Sequence, residues 1–493
     1  MLFQSVHFVV FFVFTLVAFH ALVRRWEARK LLLLGASWLF YATWSPRFLL
    51  LLIATTAIDF ELARRIWSAR HAPPPGEPSH PARARALLVA SLALNVGVLA
   101  FFKYGRFLYA SAADLAALPP TPSWLAIAAP LGISFYTFHS ISYVVDTWRG
   151  VREPSECFAD FALYVAFFPQ LIAGPITRWG YFGPQLSAPR RLRFRAIEAA
   201  LLLLAVGFVK KVVFADSLGG FVDAVYAAPD RASRLDAWLA VYGYAFQIYF
   251  DFSGYTDVAM GLAGLLGFRL PENFRHPYVA LNPAELWRRW HISLSTWLRD
   301  YLFLPIARAL LRRTRRPAFT AVVATLATML LAGLWHGAAW TFVLWGGVQG
   351  IWLVLHRLVT WRQGPRPMFP AWADAGEPRG AARPPITPAW IRRLATFHVF
   401  ALSLVLFRAG ALEVAAGVAR ALFASRPQLQ PLPVTAILVI AIGALTHTLS
   451  LRIDLARLWS HAPRVLRGAA YGATAVAVWL CSAQSTRFIY FEF

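Results

Sequence analysis

Cysteine is almost missing from this chain. Cys157 and Cys481 are its two cysteines among 493 residues, far apart and each in or beside an apolar stretch. Such a pair suggests neither a disulfide framework nor a cysteine metal site. Metal-ligand spacing is lacking too: the chain has no His-x-x-x-His and no ladder of carboxylates with histidines. A Gly-x-Ser-x-Gly elbow and a phosphate-binding P-loop are both absent, so serine-nucleophile hydrolysis and nucleotide hydrolysis find no support. Acidic residues are few, 24 against 48 lysines and arginines.

Apolar residues are what the chain has in excess. They make up 58% of it, more than a soluble surface accommodates. Apolar stretches near membrane-spanning length recur from Ser5 to Leu480, which predicts a polytopic membrane protein. The first, Val6 to Val23, has no preceding basic region and no small-residue cleavage site, and reads as a retained helix. The net charge of +24 would suggest nucleic-acid binding in a soluble protein. Here the arginines cluster between apolar runs, as cytoplasmic loops near anionic lipid do.

Basic clusters at Arg24–Lys30, Arg64–Arg85, Arg190–Arg195, Arg308–Arg316, Arg357–Arg393 and Arg452–Arg467 are placed inside by this rule. Spans are then expected near 5–23, 31–45, 47–62, 87–106, 124–146, 196–215, 237–266, 318–336, 338–357, 394–408, 433–450 and 467–482, with both termini outside. The fold expected is all-α, with about 11–12 transmembrane helices in a single domain over 1–493. Phe158–Ile176 contains the helix breakers Pro169, Gly174 and Pro175 and is expected to enter the membrane and return. Leu286–Leu304 reads as an amphipathic interfacial helix, with Trp287, Trp290, Leu294 and Trp297 on one face. The Pro- and Arg-rich stretch 364–388 reads as a cytoplasmic loop.

Ionisable residues within apolar spans are expensive and point to function. His336 lies in Ala-Gly-Leu-Trp-His-Gly-Ala-Ala-Trp, between two apolar runs, where Gly333 and Gly337 suggest a bend with open space beside the imidazole. A structural histidine between helices is the plain alternative; a proton-transfer group is the sharper one. In Leu286–Tyr301, Arg288, Arg289 and His291 are suited to meet an anionic donor, or belong simply to an interfacial helix. Asp251 and Asp257 sit in an apolar span, where pairing with arginines of the 275–299 region would make them supports. Ser134, His139 and neighbouring tyrosines line Pro130–Asp146, either bonding between helices or lining a cavity.

These same blocks resemble the membrane-bound O-acyltransferase (MBOAT) family, and within it the alginate O-acetylase branch. The resemblance is carried by Pro130–Asp146, Phe167–Pro175, Tyr249–Asp257, Pro271–Tyr278, Trp287–Pro305 and Gly333–Trp340, and by the closing Phe-Ile-Tyr-Phe-Glu-Phe at 488–493. It extends over nearly the whole chain. It implies a helical bundle with re-entrant and interfacial helices around a central funnel, in a bacterial inner membrane. The family's invariant histidine falls on His336 and its second, usually polar or histidine, position on His291. The implied chemistry is acyl transfer from a cytoplasmic thioester such as acetyl-CoA, with no bound cofactor or metal. His336 would be the base, and His291, Arg288 and Arg289 would position the donor or stabilise charge. Trp335, Ser134, His139, Asp251 and Asp257 stand with these as substrate-site candidates. The acceptor would be an exopolysaccharide hydroxyl, reached with a separate periplasmic partner of the esterase-like SGNH type. Two alternatives remain at this point: a polysaccharide exporter or proton-coupled carrier using Asp251, Asp257 and His139, and an acyltransferase for a protein, lipid or teichoic-acid acceptor.

Overall fold

The computed structural model describes the chain except residues 23, 72–78, 118, 126, 188–191, 362–386, 427–432, 454, 482–487 and 490–493. Nearly all of the 364–388 loop and most of the closing segment therefore lie outside the described residues. Those described form helices and turns, with no strand among them. Among the described residues, four helices are long and apolar enough to cross a membrane: Pro81–Ala116, Pro317–His336, Trp340–Thr360 and Ala389–Ala409. Val6–Ala21 and Val434–Leu449 are apolar but shorter. The protein is an all-helical, multi-pass membrane protein.

Its contacts define two compact units: Met1–Leu204 with Thr256–Pro271, and Ala205–Tyr255 with Glu272–Phe493. In the first, the helices Pro46–Arg70 and Pro81–Leu99 share a buried polar contact. The Asp59 carboxylate accepts from Ser91 Oγ at 2.7 Å and from Asn95 Nδ2 at 2.9 Å to each oxygen. The expected re-entrant stretch is broken at Phe167 into helices Phe158–Ala166 and Phe168–Leu171. Every residue from 161 to 177 is buried, so its irregular backbone is enclosed by protein, the condition under which a bilayer tolerates it. The expected 124–146 span is shorter than foreseen, because regular helix begins only at Ile133 and runs to Arg149.

The second unit contains a hairpin formed by helices Pro317–His336 and Trp340–Trp361. Glycines let these helices touch backbone to backbone. A Cβ on Gly333 would fall 2.3 Å from the Phe342 carbonyl oxygen, and one on Gly346 2.2 Å from that of Met329. This corrects the open space expected beside His336. Gly333 is filled by the partner helix and Gly337 faces the Phe342 ring. The helix also runs straight through Gly333, and the chain turns only after His336.

Leu286–Leu304 is not one helix either. Helix Pro283–Arg289 ends within it, and helix Ile292–Leu298 starts after two intervening residues, Trp290 and His291. Local chemistry accounts for the first start: Asn282 accepts from the Glu285 amide at 2.9 Å, Glu285 accepts from Leu281 N–H, and Pro283 opens the first turn. The tryptophans are buried within the protein, Trp287, Trp290 and Trp297 each being 3% exposed. Trp287 Nε1 donates to Gln349, which donates in turn to Ser403.

Candidate active site

The break between the two short helices is His291 itself, at φ +44. A left-handed residue other than glycine costs roughly 1–2 kcal/mol, and here the segment 273–275 holds it. Ile292 N–H donates to the Asn273 carbonyl and Arg275 N–H to that of Arg289, each at 2.9 Å. The Asn273 side chain completes the clamp. Its Oδ1 accepts from Ser293 N–H at 3.1 Å and Ser293 Oγ at 2.9 Å, and lies 3.1 Å from His291 Nδ1. A backbone amide only donates, so the Asn273 atom is the oxygen and His291 Nδ1 carries the proton. Nε2 is then an acceptor, and it meets no hydrogen-bond partner among the described residues.

His291 is fully buried, and burial pushes its imidazole down to about 3, so it stays neutral. Phe252 meets its ring edge-on at 4.6 Å, and Trp335 lies 6.2 Å away. Trp335 also touches His336, at 4.7 Å. His336 ends its helix at 2% exposure and is boxed by Trp345 at 5.2 Å and Phe407 at 5.1 Å. One tryptophan thus neighbours two buried imidazoles, both in the second unit. A neutral imidazole takes a proton from a hydroxyl, and an aromatic enclosure excludes the water that would compete as acceptor.

The other expected residues divide. Arg289 is half-buried and paired with Glu285 at 2.8 Å, and its Nη1 donates to the Arg275 carbonyl; its charge is already matched. Arg288 is half-buried beside it. Asp251 pairs not with an arginine of 275–299 but with Lys211, at 2.6 Å, and Lys211 also meets Asp216 at 2.7 Å. Asp257, Ser134 and His139 belong to the first unit. There His139 Nε2 accepts from the Thr177 amide at 3.1 Å, a bond to the end of the re-entrant stretch. Asn273, Lys211, Trp345 and Phe407 carried no role in the sequence reading. Among them only Asn273 lay in a motif singled out there, the Pro-Glu-Asn-Phe-Arg-His-Pro-Tyr block. No group of three or more histidine, cysteine or acidic residues able to hold a metal occurs among the described residues.

Residues 153–372 match the membrane-bound O-acyltransferase family, a stretch that includes both histidines. A probable alginate O-acetylase of Pseudomonas aeruginosa is 38% identical over 402 residues, 80% of this chain and 70% of that one. The chain belongs to the membrane-bound O-acyltransferase family. A probable alginate O-acetylase of Pseudomonas putida is 37% identical over 80% of this O-acyltransferase and 75% of its own length. A peptidoglycan O-acetyltransferase of Helicobacter pylori is 34% identical over 78% of this chain and 72% of its own. The acyltransferase fold expected from the motifs is thus matched on both counts, by helical architecture and by kinship.

Proposed function

We propose that this O-acyltransferase passes acetyl groups from a cytoplasmic thioester, acetyl-CoA or a related donor, toward hydroxyls of an alginate-like exopolysaccharide. The observation that carries the reading is the pair of buried imidazoles that both neighbour Trp335, in a chain similar to O-acetylases. The acceptor oxygen attacks the thioester carbonyl, the carbon–sulfur bond breaks, and the hydroxyl proton passes through an imidazole to the departing sulfur as thiol. His336, at the helix end within the aromatic box, serves as the base. The tautomer fixed by Asn273 makes His291 Nε2 an acceptor, so it orients a hydroxyl or takes its proton; donating to developing negative charge is not open to it. Arg288, half-buried near the end of helix Pro283–Arg289, is the donor-side cation of this proposal. The membrane is the bacterial inner membrane with both termini periplasmic, and a separate periplasmic SGNH-type enzyme completes delivery.

The test is polymer acetylation in cells carrying His336→Ala at normal expression. General-base loss should lower acetylation by about 100-fold or more, while unmodified polymer is still exported. Full acetylation would sink the assignment, and loss of export would favour a transporter.

A further inference from the structure

The Asp216–Lys211–Asp251 cluster is buried deep within the second unit, where Lys211 is 4% and Asp251 1% exposed. A buried ion pair gains little over well-packed apolar residues of similar size, so stability alone does not explain it. The arrangement supplies one thing an apolar pair does not. While Lys211 takes Asp251 Oδ1, Oδ2 accepts the Ile489 main-chain N–H at 2.8 Å. An amide buried without such an acceptor costs about 1–3 kcal/mol.

What this amide holds in place is the next link. Phe488 is 1% exposed; it stacks on Tyr255 at 4.6 Å and leans on Phe252 at 5.7 Å. Phe252 is the ring that meets His291 edge-on. Asp251, Phe252 and Tyr255 share the helix Arg234–Leu265, so one helix face binds 488–489 and backs the imidazole. Lys211 reaches that face from a π-helical segment, Val209–Ala215.

We infer that Asp251 and Lys211 are positioning residues for the His291 site, clamping Phe488–Ile489 as the wall behind Phe252. Their link to catalysis rests on the acyltransfer role given to His291 above; the clamp itself does not.

The experiment uses the full chain in detergent, treated with diethyl pyrocarbonate and mapped by mass spectrometry. Ile489→Pro deletes the amide hydrogen and leaves the charges in place. Phe488→Ala removes the wall, and Asp251→Leu, Lys211→Met and Asp216→Asn together remove the whole charged cluster, so that no acid is left without its cation. In each, His291 should be labelled about tenfold faster as the local opening becomes easier, while His139, buried in the first unit, keeps its rate. In the acetylation assay kcat should fall with KM for acetyl-CoA unchanged. An unchanged His291 rate would overturn the clamp, as would an equal rise at His139, which marks general loosening. Selective labelling with normal acetylation would support the clamp and defeat the catalytic role of His291 instead.

Discussion

Asn273 does more for the site than its small size suggests. One oxygen fixes the His291 tautomer, receives Ser293 twice, and sits in the segment that restrains a left-handed residue. The His291 imidazole is held at about 3 by burial, whereas in the unfolded chain it titrates near 6.5. The unfolded chain therefore binds a proton that the folded one refuses once the pH drops below about 6.5. Stability from this group is complete above that value and is lost as the pH falls toward 3, by at most about 1.4 kcal/mol per pH unit. Thermal unfolding in detergent from about pH 7.5 to about pH 5 should show a shallower acid loss in His291→Gln than in the parent. Equal slopes would mean the imidazole is not excluded from protonation.

The hairpin of Pro317–His336 and Trp340–Trp361 places His336 through a crossing so close that backbone meets backbone. Gly346→Ala should lower the unfolding temperature and acetylation together, because its Cβ meets the Met329 carbonyl at 2.2 Å. Gly347→Ala, one residue on, meets only Leu330 at 3.5 Å and should change neither. Similar behaviour of the two variants would place the contact elsewhere. The helices were largely legible in the sequence because long apolar runs bounded by arginine impose few alternatives. His336 stood out because ionisable side chains are rare in such runs, and His291 because it lies beside Arg288 and Arg289 in a tryptophan-rich amphipathic stretch. The glycines were misread as space, since a missing Cβ looks the same in sequence whether a ligand or another backbone fills it. Likewise the spacing of Trp287, Trp290, Leu294 and Trp297 suited one continuous helix, and the reversal at His291 depends on Asn273, eighteen residues away. Lys211 was invisible as the partner of Asp251 for the same reason: forty residues separate them, and only the folded chain brings them together.

At the scale of the whole molecule, arginine-rich loops set orientation, and that is checked without reference to catalysis. With the native cysteines replaced by serine, Arg313→Cys in intact cells should be protected from a membrane-impermeant maleimide. Asp230→Cys should react, its side chain being 73% exposed. The reverse pattern would invert the proposed topology. Assembly carries a further consequence of the Asp59 contact. A carboxylate facing lipid alone is expensive, and its hydrogen-bond donors here come from later helices, Ser91 and Asn95 on the next one and Ser140 on Ile133–Arg149. Pro46–Arg70 is thus a poor solitary passenger for the insertion machinery. Burying its acid costs least once Pro81–Leu99 is beside it, so an early pairing of these two helices, and not only the final packing, follows from that one acid.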